Sequence, residues 1–490
     1  MKRRQLLKGA LAGGIAASST GRAVMAAMTP DLSGVSAATL SGSEVALSKA
    51  AVQGLASSLT GTVLQAQSPS YDSARSLWNA MIDKRPAIIA QCASTADVAS
   101  AVNFAREHNL LTSVRCGGHS FAGRSVAENG LMIDLGPMHD VSVDTRKKTA
   151  MVGGGARLGH VDLACLEHNL ITVVGTDSDT GAGGLTLGGG LGRLSRKHGL
   201  TIDNLLSAEI VMADGQVRTC SARQETDLFW AIRGGGGNFG VATRFEYQLH
   251  DFDPIIYGGS IVFPWERRAA LFQYLGVFAH DAPDELCLSP FLFTHPEHGP
   301  LIGVEACYSG DHITGAEVLA PLAAFPKPLM GGFGPKPYID MQRTANPDAR
   351  DAHYIKSGYV AGLSDGVIEA ISENFPQMPG LVVFFQHLRG AVARVDEEAT
   401  AFSHRGALFN VGIAAGFKDK SKYPAYRDAI RTHWARLEPH TMGFYSNLME
   451  QGEKQILVNL SNNRRRLQKL KARYDPDNFF RLNANIKPVA

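Results

Sequence analysis

Cysteine is scarce in this sequence and unpaired: Cys92, Cys116, Cys165, Cys220, Cys287 and Cys307 are the full set. None stands in a Cys-x-x-Cys pair, which excludes the common zinc motifs, and no spacing among them predicts a disulfide. Mostly buried thiols are the expectation. Long apolar runs are missing as well. No stretch after the amino-terminal segment reaches the roughly 18 apolar residues a membrane span needs. Charge imbalance is missing too: the net charge is +2, so no global field points to nucleic acid or acidic lipid. The one basic run, in "NNRRRLQKLKARY", has no aromatic platform beside it and reads as the solvated face of a helix, not a nucleic-acid surface. No internal repeat is present. A GxGxxG fingerprint does not follow the first strand, which counts against a Rossmann unit.

Glycine, by contrast, is plentiful. There are 52 glycines in 490 residues, above the ordinary share of about 7%. They are clustered and not periodic, so collagen-like and low-complexity readings fail. A hydrophobic content of 44% is globular. At roughly 100–200 residues per domain, the length suggests two or three domains.

The first residues read as an export signal. "MKRRQLLKGALAGGIAASSTGRAVMAA" has a basic start, a mildly apolar middle and small residues at Ala26 and Ala27. Arg3-Arg4 before Gln5-Leu6-Leu7-Lys8 looks like the twin-arginine kind, which hands folded proteins to its export machinery. A chance arginine pair in an ordinary secretory signal is the plainer alternative. Either way the mature chain is expected outside the bacterial cytoplasm, in the periplasm or beyond. Residues 1–27 are the signal, and 28–68, rich in Ala, Ser, Thr and Gly, read as a partly ordered leader.

Strand and helix alternate after that. "RPAIIAQCAS" reads as a strand, and Ser94-Thr95-Ala96-Asp97 caps a helix whose apolar residues Val98, Ala101, Val102 and Ala105 share one face. "LLTSVR" is a strand that runs into "RCGGHSFAGRS". Two glycines, an arginine, hydroxyls and His119 stand together there. That suits either a phosphate cradle beside a reactive ring or a tight turn that carries a histidine. "GAGGLTLGGGLG" and "RGGGGNFG" add two more glycine-rich turns, and "AEIVMADGQVRTCS" reads as a hairpin turning at Asp214-Gly215. Glycine admits positive φ and lets backbone N–H groups approach an anion. Three such turns in one region suggest a long ligand approached repeatedly. After about residue 251 the glycines thin out, and "LVVFFQHLRGAVARV" and "ALFNVGIAAGF" read as strands, "AYRDAIRTHWARL" as an amphipathic helix.

Taken in order, "RPAIIAQCASTADVASAVNFAREHNLLTSVRCGGHSFAGRS", "GLTLGGGLGRLSRKHGLTIDNLLSAEIVMADG", "DLFWAIRGGGGNFGVATRF" and "YDPDNFFRLNANI" resemble the FAD-linked oxidases of the berberine-bridge-enzyme type, within the vanillyl-alcohol-oxidase superfamily. The resemblance covers residue 70 or so to the end. It implies an α+β fold: a two-subdomain FAD-binding domain over 69–250, an α+β substrate-binding domain with an antiparallel sheet over 251–440, and a carboxy-terminal segment, 441–490, that returns to the FAD domain. Arg115, Cys116, Gly117, Gly118 and Ser120, with Gly123 and Ser125, resemble the pyrophosphate-binding turn. His119 falls where the family's histidine bonds to the flavin 8α-methyl. Asp177, Thr180, Gly181, Gly183 and Gly184, then Gly188, Gly189 and Asn204, are carried over as further cofactor contacts. Val241, Asn483 and Asn485 complete that set. Some members attach FAD a second time through a cysteine where Asp177 stands here. A carboxylate forms no thioether, so a single covalent bond through His119 is expected, as in the bacterial branch that includes enzymes similar to 6-hydroxynicotine oxidase. Thr180 has valine's volume at a position that gates oxygen in related enzymes, which favours an oxidase that makes hydrogen peroxide over a dehydrogenase that feeds a quinone or cytochrome. A flavin-binding protein without turnover is the remaining alternative.

The expected reaction moves hydride from a substrate carbon to the flavin while a base takes a proton. "GFYSNLM" resembles the family's Tyr-x-Asn stretch, making Tyr445 a candidate base and Asn447 a flavin or substrate contact. A phenol with an ordinary pKa of about 10 needs a nearby cation to act at neutral pH. His387 would be the easier base. By strand alternation only one of Gln386 and His387 faces the pocket. Asn410, Tyr359 and Lys356 are weaker pocket candidates. Aromatics such as Phe384, Phe385 and Tyr445, with few charges, lean towards a neutral or aromatic small-molecule alcohol or amine.

Overall fold

The computed structural model describes residues 32–343, 350–448, 450 and 463–489. Residues 1–27, which read as an export signal, lie outside them. From Leu32 onward the chain forms one compact unit of α+β architecture.

Three sheets carry the fold. The first has four strands, in the order Thr62–Leu64, Ile88–Gln91, Leu131–Asp134, Thr112–Arg115, and the last three run parallel. The connection between Ile88–Gln91 and Thr112–Arg115 is the helix Thr95–Glu107. Ser94 caps it by accepting from the Asp97 backbone N–H at 3.2 Å, as the sequence pattern anticipates. Val98, Ala101, Val102 and Ala105, spaced to share one helix face, are fully buried against the sheet. The second sheet has five antiparallel strands: Val217–Ser221, Leu205–Val211, Val241–Gln248, Thr149–Gly153 and Val141–Asp144. Its first pair is the anticipated hairpin, with Gly215 at φ +77° in the turn.

The leader reading of 28–68 is corrected. Val35–Ala38 and Glu44–Leu47 form a hairpin, and Lys49–Ser58 is a helix. Thr62–Leu64 is the edge strand of the first sheet. Leu47, Val52 and Leu55 are buried in the same core as the Thr95–Glu107 helix. Asp97 ties the junction down, accepting from Thr60 and Gly61 backbone N–H groups. An Ala/Ser-rich composition hides a helix whose few apolar residues all point one way.

The third sheet has seven antiparallel strands: Met330–Pro337, Ile255–Pro264, Gly299–Tyr308, Leu286–His295, Leu381–His387, Phe409–Phe417 and Ala352–Val360. Alternation divides its side chains sharply. Along Leu381–His387, Leu381, Val383, Phe385 and His387 are buried, whereas Val382, Phe384 and Gln386 are half-buried. The buried set packs with the helices Arg268–His280, Asp365–Ser372 and Tyr423–Leu437, through residues such as Phe272, Ile371 and Trp434. The other face turns to the glycine-rich turns of the first two sheets.

The carboxy-terminal helix Arg464–Tyr474 joins the second sheet's core through Leu467 and Leu470. Lys471 is fully buried. Its ammonium donates to Asp475 at 2.5 Å, to the Asn238 carbonyl at 2.6 Å and to the Phe480 carbonyl at 3.0 Å. All five cysteines other than Cys116 are buried, and all six are free. Among the described residues no helix is long and apolar enough to cross a membrane, and no cluster of metal-ligating side chains is present.

Candidate active site

A cavity of about 580 Å³ lies where the glycine turns meet the free face of the seven-stranded sheet. That size is ordinary for a small-molecule or cofactor site, roughly 300–1,000 Å³. One wall comes from Cys116 to Ser120, with Ser125, Asp177, Thr180 and Gly181. Gly183, Gly184, Val241 and Asn483 extend it. The opposite wall brings Val382, Phe384 and Gln386 from one strand, and Tyr445 and Asn447 from the segment after the helix Tyr423–Leu437.

The glycines are there because backbone touches backbone. A Cβ on Gly117 would lie 2.5 Å from the Gly181 nitrogen, and one on Gly181 would lie 2.4 Å from the Gly117 nitrogen. Two separate turns therefore close on each other, and neither position tolerates a side chain. A Cβ on Gly184 would meet nothing within 4 Å, so that backbone opens on the cavity.

His119 lines the cavity with its Nε2 buried and unpartnered. Burial lowers its pKa and keeps the ring neutral, against the opposing pull of Asp177 and Asp179. Ser125 Oγ is also buried without a partner. A flavin dinucleotide fits this surface: bare backbone for its phosphates, an unclaimed imidazole, and orphaned polar atoms that a ligand would satisfy.

Tyr445 is 3% exposed, and its hydroxyl accepts from Asn447 Nδ2 at 2.9 Å and from the Leu191 N–H at 3.3 Å. Burial pushes its pKa up, while Asn447 and the Leu191 and Gly190 amides pull the other way. The anticipated cation is replaced by hydrogen-bond donors. With its acceptor positions engaged, the phenol keeps its own proton free for the cavity.

Several sequence assignments are corrected. His387 does not face the cavity. It is 2% exposed on the helix-covered face, where Nδ1 accepts from the Leu288 N–H at 3.3 Å and Nε2 lies 3.0 Å from the Ala279 carbonyl. Burial and the neighbouring Arg196 hold its pKa well below the usual histidine range. Alternation places Gln386 in the cavity instead. Asn410 is fully buried and acts on Gln386, donating to its Oε1 at 2.8 Å. Tyr359 packs its ring 6.3 Å from that of Tyr445 and does not line the cavity. Lys356 pairs with Glu450 at 3.2 Å instead of entering it.

Arg115 does not reach the cavity either. It stands beside Asp134 on the neighbouring parallel strand and donates to that carboxylate at 3.1 Å. Asp134 is 2% exposed, and a buried carboxylate claims the nearest cation. Gly123, at φ +65°, closes a turn over Ile82. Gly188 makes room for Asn447, and Gly189 for Phe402. Asn204 closes the turn before its strand by donating to the His198 and Leu200 carbonyls. Asn485 does not line the cavity.

The sequence reading missed Trp78 and His353, which also line the cavity. Nothing in "SLWNAM" or "DAHYIK" marks them, because Trp78 meets His119, and His353 meets Trp78, only across the fold.

Comparison with known proteins matches these features. Residues 86–221 match the FAD binding domain family, and 460–487 match the family described as berberine and berberine like. An FAD-linked oxidoreductase of Dictyostelium discoideum is 31% identical over 441 residues, covering 88% of this chain and 96% of that protein. The (R)-6-hydroxynicotine oxidase of Paenarthrobacter nicotinovorans is 28% identical over 456 residues, covering 88% and 97%. Among solved structures, 6-hydroxy-D-nicotine oxidase from Arthrobacter nicotinovorans superposes with a TM-score of 0.80 at 27% identity, covering 88% and 99%. A glucooligosaccharide oxidase from Acremonium strictum gives 0.81 at 26% identity, covering 90% and 99%.

Proposed function

Because the chain belongs to the berberine-bridge-enzyme-like family of FAD-linked oxidoreductases, of vanillyl-alcohol-oxidase-type fold, we propose that it is an oxidase holding FAD through one covalent bond at His119. Its substrate on this reading is a neutral small-molecule alcohol or amine, and its second substrate is oxygen. The observation that carries the reading is the meeting of His119 and the glycine turns on one cavity wall with Tyr445, Asn447 and Gln386 on the other.

FAD, when bound, supplies the hydride acceptor. The chain's own residues do the rest. The Gly117–Gly181 contact shapes the cavity wall, and Gly184 leaves backbone open to the phosphates. The half-buried Gln386 is oriented by Asn410, which occupies its carbonyl and leaves its amide free to donate to a substrate oxygen or nitrogen. Tyr445 takes the proton from that atom as its phenolate and becomes the phenol, and the Asn447, Leu191 and Gly190 donors stabilise the phenolate that must form first. Asp177 at the position of the second attachment site supports a single bond. Thr180 on the cavity wall supports the oxidase over the dehydrogenase. The twin-arginine pattern supports export of the folded, flavin-loaded protein.

Acid precipitation tests the attachment: flavin should stay with the wild-type chain and leave His119→Ala. Oxygen uptake matched one-to-one by hydrogen peroxide, with any substrate that bleaches the flavin, tests the oxidase. Turnover only with a quinone or cytochrome acceptor would replace it with the dehydrogenase.

A further inference from the structure

Three rings stand in a pile at one end of the cavity. His119 stacks on Trp78 with centroids 4.5 Å apart and planes at 24°, and Trp78 stacks on His353 at 3.7 Å and 14°. Phe121 meets Trp78 edge-on at 4.9 Å. The segment that carries Trp78 also grips the histidine loop on both sides. The Trp78 N–H donates to the Gly118 carbonyl at 3.0 Å, and Asn79 Nδ2 donates to the Phe121 carbonyl at 2.9 Å.

Asn79 and Ala80 reach across to the Ala352–Val360 strand and the residue before it. Asn79 Oδ1 accepts from the His353 N–H at 2.9 Å, and Asn79 Nδ2 donates to the His353 carbonyl at 3.1 Å. The Ala80 N–H donates to the Asp351 carbonyl at 2.9 Å. Asn79 is 3% exposed, so these bonds are made away from water. Both backbone polar groups of His353 are therefore held by the Asn79 side chain, and its ring forms the outer leaf for Trp78.

We propose that Trp78 is a positioning residue for covalent flavin attachment: sandwiched between His353 and His119, it fixes the plane of the attaching imidazole. The inference rests on the reading of His119 as the attachment point. In that step a His119 N–H and a C–H of the flavin methyl break and an N–C bond forms. The two electrons and two protons pass to the isoalloxazine, and dioxygen takes them as hydrogen peroxide. The new bond forms only from a narrow range of ring orientations, and an error of about 1 Å in such a geometry costs on the order of 100-fold in rate. An imidazole has two soft torsions, and no hydrogen bond holds the buried Nε2 of His119. The stack and the grip on residues 118 and 121 supply the restraint that a hydrogen bond would otherwise provide.

The test uses the full purified chain as wild type, Trp78→Leu, Trp78→Phe and His353→Ala. For each, total flavin per chain is read from the native protein, and the attached share is read after acid precipitation and by intact mass. Trp78→Leu stays apolar and loses the stacking plane. Its attached share should fall at least fivefold while total flavin stays near wild type. Trp78→Phe should recover most of the attachment, and His353→Ala, which frees the outer leaf, should fall between. Full attachment in Trp78→Leu overturns the proposal, as does a Trp78→Leu chain that binds no flavin at all, which would make Trp78 structural. Release of all flavin from wild type would instead remove the His119 reading on which the proposal stands.

Discussion

Tyr445 and His387 show how one residue's surroundings decide its chemistry. By free pKa the histidine is the better base, yet it sits on the covered face of the sheet with both ring nitrogens engaged. The tyrosine, a poorer base in water, lies in the cavity beneath three N–H donors. Burial still raises its pKa above the ordinary value, so kcat/KM is expected to climb with pH across the neutral and mildly alkaline range. Tyr445→Phe should lower kcat by about 100- to 10,000-fold, the usual worth of a general base, and flatten that climb. A pH profile of both proteins with one turned-over substrate checks this. A steep profile surviving in the variant would move the base elsewhere.

At the scale of elements, the decisive contact is between two turns far apart in sequence. The Gly117 and Gly181 backbones touch, and this contact shapes the cavity wall beside His119. A methyl at either position must push the turns apart. Gly117→Ala is expected to retain little or no FAD, read from the flavin absorbance of the purified protein, while its secondary structure by circular dichroism stays near wild type. A normally loaded variant would show that the turns have room to give. Another tie between elements is Arg405, 1% exposed, which holds both Asp203 carboxylate oxygens at 2.8 and 2.9 Å and so links the segment before the Phe409–Phe417 strand to the FAD-side turn. The glycine motifs were legible in sequence as backbone approaching a ligand. Which glycines do so, and which only make room for Asn447 or Phe402, was not.

Across the whole molecule, buried titratable groups set an acid limit. Burial lowers the pKa of His198 to about 3 and that of His353 to about 4. The unfolded chain, with histidines near about 6.5, binds protons first as pH falls. The stability these groups leave intact above that value is therefore lost progressively between about pH 6.5 and their folded values. Asp162 works in the opposite sense. Fully buried, with Oδ1 unpartnered and Gln342 donating to Oδ2 at 3.2 Å, its carboxyl is raised to about 7. Its contribution is complete below the ordinary carboxyl pKa and lost as pH rises towards 7. Asp162→Asn should therefore raise Tm at pH 7 by more than at pH 4, and thermal melts of both proteins at the two pH values check the sign. A gain larger at pH 4 would contradict it.

The sequence by itself determined the alternation of strand and helix from residue 86 onward, the family, the glycine turns, the attachment candidate His119 and the pair Tyr445 and Asn447. All of these depend on local patterns: apolar spacing, capping, and residues a few positions apart in one turn. Tertiary structure decided the rest. It took Arg115 away from the cavity because Asp134, on another strand, is buried and needs a cation. It chose Gln386 over His387 because strand register, set by pairing with Phe409–Phe417 and Leu286–His295, assigns faces that a single strand cannot assign for itself. It brought Trp78 and His353 to His119 from positions 41 and 234 residues away in the chain (119 − 78 and 353 − 119), a meeting no local pattern encodes.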